Sequence, residues 1–299
     1  MNEEFSTPVM SVTEVDPPLP AVRAAVRRAL DEDLLPLGDL TAGLVPPGAE
    51  AHVVVRSRAG GVVAGRLCAL EAFRQLDPSL RVVWHLPDGS TVQPGSVIAE
   101  VSGRLAPILT AERTALNFLC HLSGVATLTH RFVVAVGAVN PDTRVLDTRK
   151  TTPGLRALEK AAVRAGGGVN HRGSLSEGIL LKDNHLAGIG IERAVGAARR
   201  RWPGRMVEVE CDRPDQVLEA LAAGASGVLL DNMTPDEVRH CVGLVRSQGA
   251  PGAFLVEVSG GVTMQSAPLY AAAGADLVSV GALTHSAPVL DLGLDLAEE

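Results

Sequence analysis

The chain has 299 residues, 46% hydrophobic and 20% charged, with a formal net charge of −7 and only 3% aromatic residues. That balance predicts a globular protein of two modest domains or one large barrel and excludes a disordered chain. An acidic chain poor in aromatics excludes nucleic acid and anionic membrane as default partners, because the first needs phosphate-binding cations and stacking platforms and the second a cationic face.

Four cysteines, Cys68, Cys120, Cys211 and Cys241, form no C-x-x-C pair and match no zinc spacing, which predicts reduced thiols and a cytoplasmic protein. Residues 1–17 are acidic and Pro-rich without an apolar h-region, so they read as a disordered lead-in and not a signal peptide. No run of about 18 apolar residues is seen, so no membrane span is expected.

Pro17-Pro18-Leu19-Pro20 opens a helix over Ala21–Leu34 whose apolar face is Val22, Ala25, Val26 and Leu30. Residues 50–105 read as an antiparallel unit. Its strand runs are Ala51–Arg56, Gly61–Ala64, Arg81–Leu86 and Val97–Val101, with a helix over Arg66–Gln75 and turns at Pro87–Ser90 and Gln93–Gly95. His52 and His85 fall in these strands and read as ordinary strand residues. A helix follows from Pro107 to Leu122, the Ser123-Gly124 pair predicts a break, and a second helix runs to Val136.

From Thr143 the pattern becomes a repeated strand–helix alternation, the signature of a parallel sheet. The strand runs are Arg144–Leu146, Gly178–Leu181, Met206–Val209, Gly227–Leu230, Phe254–Val258 and Leu277–Val280. The helices are Pro153–Ala165, Ile191–Arg201, Pro214–Ala223, Thr234–Ser247 and Met264–Ala273, with Gly224 and Gly274 as C-caps. Every strand is followed by polar or glycine residues: Asp147–Lys150, Lys182–Asn184, Glu210, Asp231-Asn232, Ser259-Gly260-Gly261 and Gly281. A doubly wound sheet gathers ligand at one switch point, whereas a barrel gathers it from all its strand ends. Contributions from six strands, fewer than the usual eight, predict an incomplete, open parallel barrel. The chain divides as a lead-in (1–17), an N-terminal α/β domain with an antiparallel sheet (18–124), the barrel (125–285) and a tail (286–299) that packs back on the first domain.

Cations cluster between Asp147 and His185. Arg149, Lys150, His171 and Arg172 suggest a clamp for a small, multiply anionic substrate, since guanidinium groups match carboxylates in bidentate fashion. Lys182 ends a strand and reads either as a Schiff-base nucleophile or as a charge partner. Arg156, Lys160 and Arg164 recur every four residues on one helix. Arg156 is placed toward substrate and the other two on a solvated face. Glu210 and Asp231, at the ends of successive strands, suit ribose hydroxyls or hydrated Mg²⁺, or alternatively an ion-pair network with Lys182 or Arg172. Glu208 shares the inward side with Glu210. Paired acids also suggest glycoside hydrolysis, but the surplus of cations disfavours it. Ser259-Gly260-Gly261, with Thr263 as a helix N-cap and Gly281-Ala282 alongside, forms a cup for phosphate. No P-loop, H-E-x-x-H helix or G-x-S-x-G elbow is present.

Three motifs, Asp147-Thr148-Arg149-Lys150-Thr151-Thr152-Pro153-Gly154-Leu155-Arg156, Gly167-Gly168-Val169-Asn170-His171-Arg172 and Leu181-Lys182-Asp183-Asn184-His185, resemble the quinolinate phosphoribosyltransferase family. The resemblance extends through Glu112–Asn117, Val207–Glu210, Leu230–Met233 and Glu257–Val262, and covers roughly residues 20–290. It implies a type II phosphoribosyltransferase fold and a homodimer, possibly assembled further, in which Arg113 is donated across the interface. It implies transfer of phosphoribosyl from phosphoribosyl pyrophosphate to quinolinate with decarboxylation, giving nicotinate mononucleotide, pyrophosphate and CO₂, with Mg²⁺ as cofactor. In those terms Lys150, Lys182, Glu210 and Asp231 are catalytic, and Arg113, Arg149, His171 and Arg172 bind the dicarboxylate. Glu210 and Asp231 hold ribose and metal, and Ser259, Gly260 and Gly281 cradle the 5-phosphate. Rival expectations are a paralogue for another aromatic acid, such as the molybdenum-transport-associated relatives, a Lys182 aldolase, and a non-catalytic anion sensor.

Overall fold

The computed structural model describes residues 15–248 and 254–297. Residues 1–14 of the expected lead-in lie outside them. The rest of that lead-in does not hang free: Asp16 is buried, with its carboxylate 3.3 Å from Arg66.

The first part of the chain forms α1 (Leu19–Leu34), β1 (Glu50–Ser57), β2 (Gly61–Val62), α2 (Arg66–Leu76), β3 (Arg81–Trp84), β4 (Thr91–Val92) and β5 (Val97–Arg104). β1, β3 and β5 pair antiparallel, with β5 central between the other two. The inward side chains Val53, Val55, Ile98, Val101 and Phe73 make the core of this half. On the outer face His52 and His85 both contact Glu100, at 2.9 Å each.

The main departure from the expected elements is α3 (Leu105–Gly137), one continuous helix of 33 residues through the predicted break. Ser123 and Gly124 are sites of close tertiary approach, not breakers. Ser123 Oγ accepts from Ala64 N (2.9 Å) and donates to Ala64 O (3.1 Å). A Cβ on Gly124 would stand 2.2 Å from the carbonyl oxygen of Pro288. Among the described residues α3 is the one helix long and apolar enough to cross a membrane by length and composition. Here many of its apolar side chains, Leu119, Leu122, Val125 and Phe132 among them, are buried in the protein core.

The second part runs β6 (Arg144–Leu146), α4 (Arg156–Ala165), β7 (Ile179–Leu181), α5 (Asp183–Leu186), α6 (Ile191–Arg201), β8 (Val207–Cys211), α7 (Pro214–Ala222), β9 (Gly227–Asp231), α8 (Pro235–Ser247), β10 (Leu255–Ser259), α9 (Ala267–Ala272), β11 (Leu277–Ser279) and α10 (Ala282–His285). All six expected strands are present in one parallel sheet, ordered β6-β11-β10-β9-β8-β7. The edge strands β6 and β7 do not pair with each other; β6 makes an isolated bridge, Leu146–Val169, to the loop before β7, so the barrel is open at that seam. β12 (Leu292–Leu296) then returns to pair antiparallel with β1.

Replacing Gly124 with Ala should destabilise the protein by about 1–3 kcal/mol through forced separation of α3 from the 288–289 backbone. Urea denaturation of the variant measures it.

Candidate active site

The six strand C-termini converge on one face, where a carboxylate inside the protein organises the loops. Asp147 follows β6 directly and is 0% exposed. An isolated buried carboxylate is strongly disfavoured, so it must be paired and hydrogen-bonded. Lys160 of α4 supplies the ion pair. Asn170 Nδ2 (2.6 Å) and the backbone N–H of His171 (2.9 Å) donate to its two oxygens. Burial pushes the Asp147 carboxyl up, and Lys160 and the two donors oppose that shift.

Lys160 also donates to His171 O at 2.9 Å. Arg164 donates to Asn170 Oδ1 (2.5 Å) and to the carbonyls of Val15 (3.2 Å) and Asp16 (3.0 Å). The expectation that Lys160 and Arg164 form a solvated face is therefore corrected: Lys160 is buried and Arg164 half-buried, because α4 turns this face toward the loops. Arg156 does not line the cleft either. It ties loops together by donating to Thr151 Oγ1 (3.0 Å), Gly173 O (3.1 Å) and Arg149 O (3.3 Å). The helix expected from Pro153 starts at Arg156, since Thr152 N is held in a turn by the Glu159 carboxylate at 3.0 Å.

Above this scaffold lies a cleft of about 180 Å³ lined by Thr148, Arg149, Lys150, His171, Arg172, Leu180, Lys182, Glu210, Leu229, Asp231, Glu257, Ser259 and Ser279. Arg149 Nε is buried with no hydrogen-bond partner among the described residues. Arg172 donates to Gly178 O at 3.0 Å, and burial followed by the nearby Arg149 charge lowers its pKa. The Glu208 carboxylate opposes that shift without cancelling it. Lys182 is paired with Glu210, which makes it a charged partner and not a free amine nucleophile. Asp231 accepts from Asn232 Nδ2 at 2.8 Å.

His171 Nε2 lies 3.3 Å from Glu208 and 3.4 Å from Glu257. Burial opposes charge on the ring, but the two glutamates outweigh it and push the imidazole up to about 10. Burial, then the Glu257 carboxylate, push Glu208 up to about 7.

The remaining predicted site residues lie outside the cleft lining. Arg113 sits exposed on α3. Gly260 and Gly261 form the turn after β10 with φ of 89° and 57°. A Cβ on Gly260 would meet Asn232 Oδ1 at 2.3 Å, so glycine is required there on two counts. Gly281 is the N-cap of α10, which begins at Ala282, and a Cβ on Gly281 would lie 3.1 Å from Lys150 Cδ, which puts this turn beside the cationic loop. Thr263 and Ser266 exchange hydrogen bonds (2.9 and 3.1 Å) in the reciprocal pattern of a capping box, so Thr263 caps the turn that leads into α9, which itself starts at Ala267. Sequence reasoning assigned no role to Thr148, Glu257 and Ser279. The signal for Glu257 was its place two residues before Ser259, hence on the same side of β10.

Family models place the chain next. The description "Quinolinate phosphoribosyl transferase, N-terminal domain" matches residues 39–123, and the corresponding C-terminal domain matches residues 125–295. The chain belongs to the quinolinate phosphoribosyl transferase family. It is 42% identical over 281 residues to the carboxylating nicotinate-nucleotide pyrophosphorylase of Mycobacterium leprae, covering 92% of this chain and 97% of that one. It is 41% identical over 263 residues to a probable enzyme of the same name from Bacillus subtilis, covering 87% and 88%. The solved nicotinate-nucleotide pyrophosphorylase of Francisella tularensis is similar in structure, with a TM-score of 0.89 at 36% identity over 96% of this chain and 100% of that one.

Two outcomes follow within this family's site. In NMR titration His171 should keep its charge as the pH rises past the ~6.5 where an exposed imidazole loses its proton, and lose it only through about 10. Lys160→Met should destabilise the fold by about 3–5 kcal/mol, because it strands the buried Asp147 carboxylate. Thermal unfolding measures this.

Proposed function

We propose that the chain transfers the phosphoribosyl group of phosphoribosyl pyrophosphate to quinolinate and releases CO₂, forming nicotinate mononucleotide and pyrophosphate. The observation that carries this reading is the pair Arg149 and Arg172 lining one cleft, Arg149 Nε having no hydrogen-bond partner among the described residues and its charge lowering the Arg172 pKa. Such a pair is complementary to a substrate with two adjacent carboxylates, and His171, Lys150 and Lys182 add donors around it. Family membership supports the same reaction.

The remaining roles follow from position. Ser259, with the backbone N–H groups of Gly260, Gly261, Gly281 and Ala282, holds the 5-phosphate. Glu210 and Asp231, oxygen donors at adjacent strand ends, fit ribose hydroxyls and a hydrated Mg²⁺; when bound, that ion offsets charge on the departing pyrophosphate. The clamp holds the pyridine nitrogen against the anomeric carbon, so most of the rate comes from positioning and charge stabilisation. Once the nitrogen is quaternised, the adjacent carboxylate leaves as CO₂, because the electron pair left on the ring carbon sits beside positive charge, and that carbon then takes a proton from solvent to give the nicotinate ring. The Lys182–Glu210 pair gives no support to a Schiff-base route.

The reading includes a homodimer in which Arg113 completes the partner's cleft. Arg113 stands exposed outside its own cleft. The exposed Leu109 lies one turn before it on α3, and Thr110 of the same turn hydrogen-bonds Asp39 (2.9 Å) in a segment where Leu35, Leu37, Leu40 and Leu44 are also exposed. This apolar surface beside Arg113 suits burial against a second copy. The four free cysteines fit a reducing, cytoplasmic setting.

Purified protein with quinolinate, phosphoribosyl pyrophosphate and Mg²⁺ should yield nicotinate mononucleotide, and nicotinate in place of quinolinate should yield none. Absence of product from folded protein overturns the reading. Arg172→Ala should weaken quinolinate binding by at least ~2 kcal/mol in calorimetry. Mixing the inactive variants Arg113→Ala and Lys182→Ala should restore about a quarter of wild-type activity, since one site in each mixed dimer is intact. No recovery would place Arg113 in its own chain's site.

A further inference from the structure

We propose that Glu257 is a positioning residue for the dicarboxylate: together with Ser279 and Glu208 it fixes the orientation and the charge of His171 at the floor of the cleft. The inference rests on the quinolinate reading and assigns to β10 a function besides its phosphate turn.

Both oxygens of Glu257 are committed. The residue is 1% exposed, Oε1 accepts from Ser279 Oγ at 2.6 Å, and Oε2 lies 3.4 Å from His171 Nε2. Ser279 is itself buried, on neighbouring β11. Glu208 of β8 reaches the same nitrogen. The imidazole is thus gripped at one atom from two strands.

What lies beneath makes this grip necessary. A barrel bore is normally filled by layers of packed side chains. Here a second cavity of about 380 Å³ adjoins the cleft, lined by Ile179, Leu255 and Leu277 at strand starts and Met206 just before β8, with His171, Arg172, Glu208 and Glu257 also in its wall. Van der Waals packing therefore does not wedge the ring from below, and its hydrogen bonds set its orientation. The main chain of His171 is fixed separately, by Asp147 at N and Lys160 at O. Loss of Glu257 would release the side chain and leave the loop in place.

The charge follows from the same geometry. With Nε2 turned to the glutamates, Nδ1 is the atom left for a substrate carboxylate. A neutral ring with its proton on Nε2 would present a lone pair at Nδ1, repelling that carboxylate, whereas the doubly protonated ring donates from both atoms. The charged groups around the ring are Glu208 and Glu257 below and Arg149, Lys150, Arg172, Lys182, Glu210 and Asp231 across the cleft. Of the acids, Glu208 and Glu257 touch the ring and favour the cation most directly. Three ligand atoms of His171, Glu208 and Glu257 also lie within 4.8 Å of one another, and a proton bridges them in this account, not a metal ion.

The test uses the full-length protein carrying Glu257→Gln and, separately, Ser279→Ala. The histidine titration is followed by NMR and quinolinate affinity by calorimetry. In Glu257→Gln the His171 midpoint should fall by about three pH units. Quinolinate affinity should drop about tenfold near pH 8 and recover near pH 6, while the KM for phosphoribosyl pyrophosphate stays within about twofold. Ser279→Ala should shift both quantities in the same direction by less, and it carries the test alone if Glu257→Gln does not fold. An unchanged His171 midpoint, a pH-independent loss of quinolinate, or equal losses for both substrates would each overturn the inference. Failure of the wild type to bind quinolinate would instead overturn the parent reading.

Discussion

The buried ion pair between Asp147 and Lys160 is the interaction on which the site depends. One carboxylate, taken wholly out of water, is compensated by an ammonium, an amide and a backbone N–H. Those partners come from α4 and from the loop before β7, so satisfying the charge also fixes where His171 and Arg172 stand. The chain of contacts continues through Asn170 and Arg164 to the carbonyls of Val15 and Asp16. Asp16 in turn pairs with Arg66 at the start of α2. A polar network therefore links the first described residues, the N-terminal half and the cationic loop of the barrel.

On that scaffold the protein holds like charges together. Arg149 and Arg172 are positioned by other parts of the fold and not by each other, and their mutual repulsion persists until an anion arrives. Preorganised charge of this kind is effective because no reorganisation is needed when the ligand binds. Three of the acids have other cationic partners: Glu210 pairs with Lys182, and Glu208 and Glu257 with His171, Glu208 also acting on Arg172. Segregation of the acids to β8, β9 and β10 leaves the β6 side free to recognise carboxylates.

Much of this was legible in the chain because strands alternate and barrels gather their ends. The six strands, and the cleft positions of Arg149, Lys150, Lys182, Glu210, Asp231 and Ser259, follow from reading what stands after each apolar run, while His171 and Arg172 follow from the cluster of cations between Asp147 and His185. What was not legible is non-local. Lys160 and Arg164 repeat at the spacing of a solvated helix face, and their partners lie in a strand end and in the lead-in, which no local pattern connects to α4. Ser123-Gly124 has the composition of a breaker, yet it exists to let two other segments touch α3. Glu257 was visible as an acid inside an apolar strand, but its role appears only when His171, 86 positions earlier in the sequence, is placed above it.

The central claim is that the strand ends recognise two carboxylates before any chemistry occurs. Calorimetry of the wild-type protein with quinolinate and with nicotinate, in the absence of phosphoribosyl pyrophosphate, tests it most directly. The account predicts that quinolinate binds and that nicotinate, lacking one carboxylate, binds at least ~30-fold more weakly. Equal affinities, or binding of nicotinate alone, would contradict a clamp built from Arg149, His171 and Arg172.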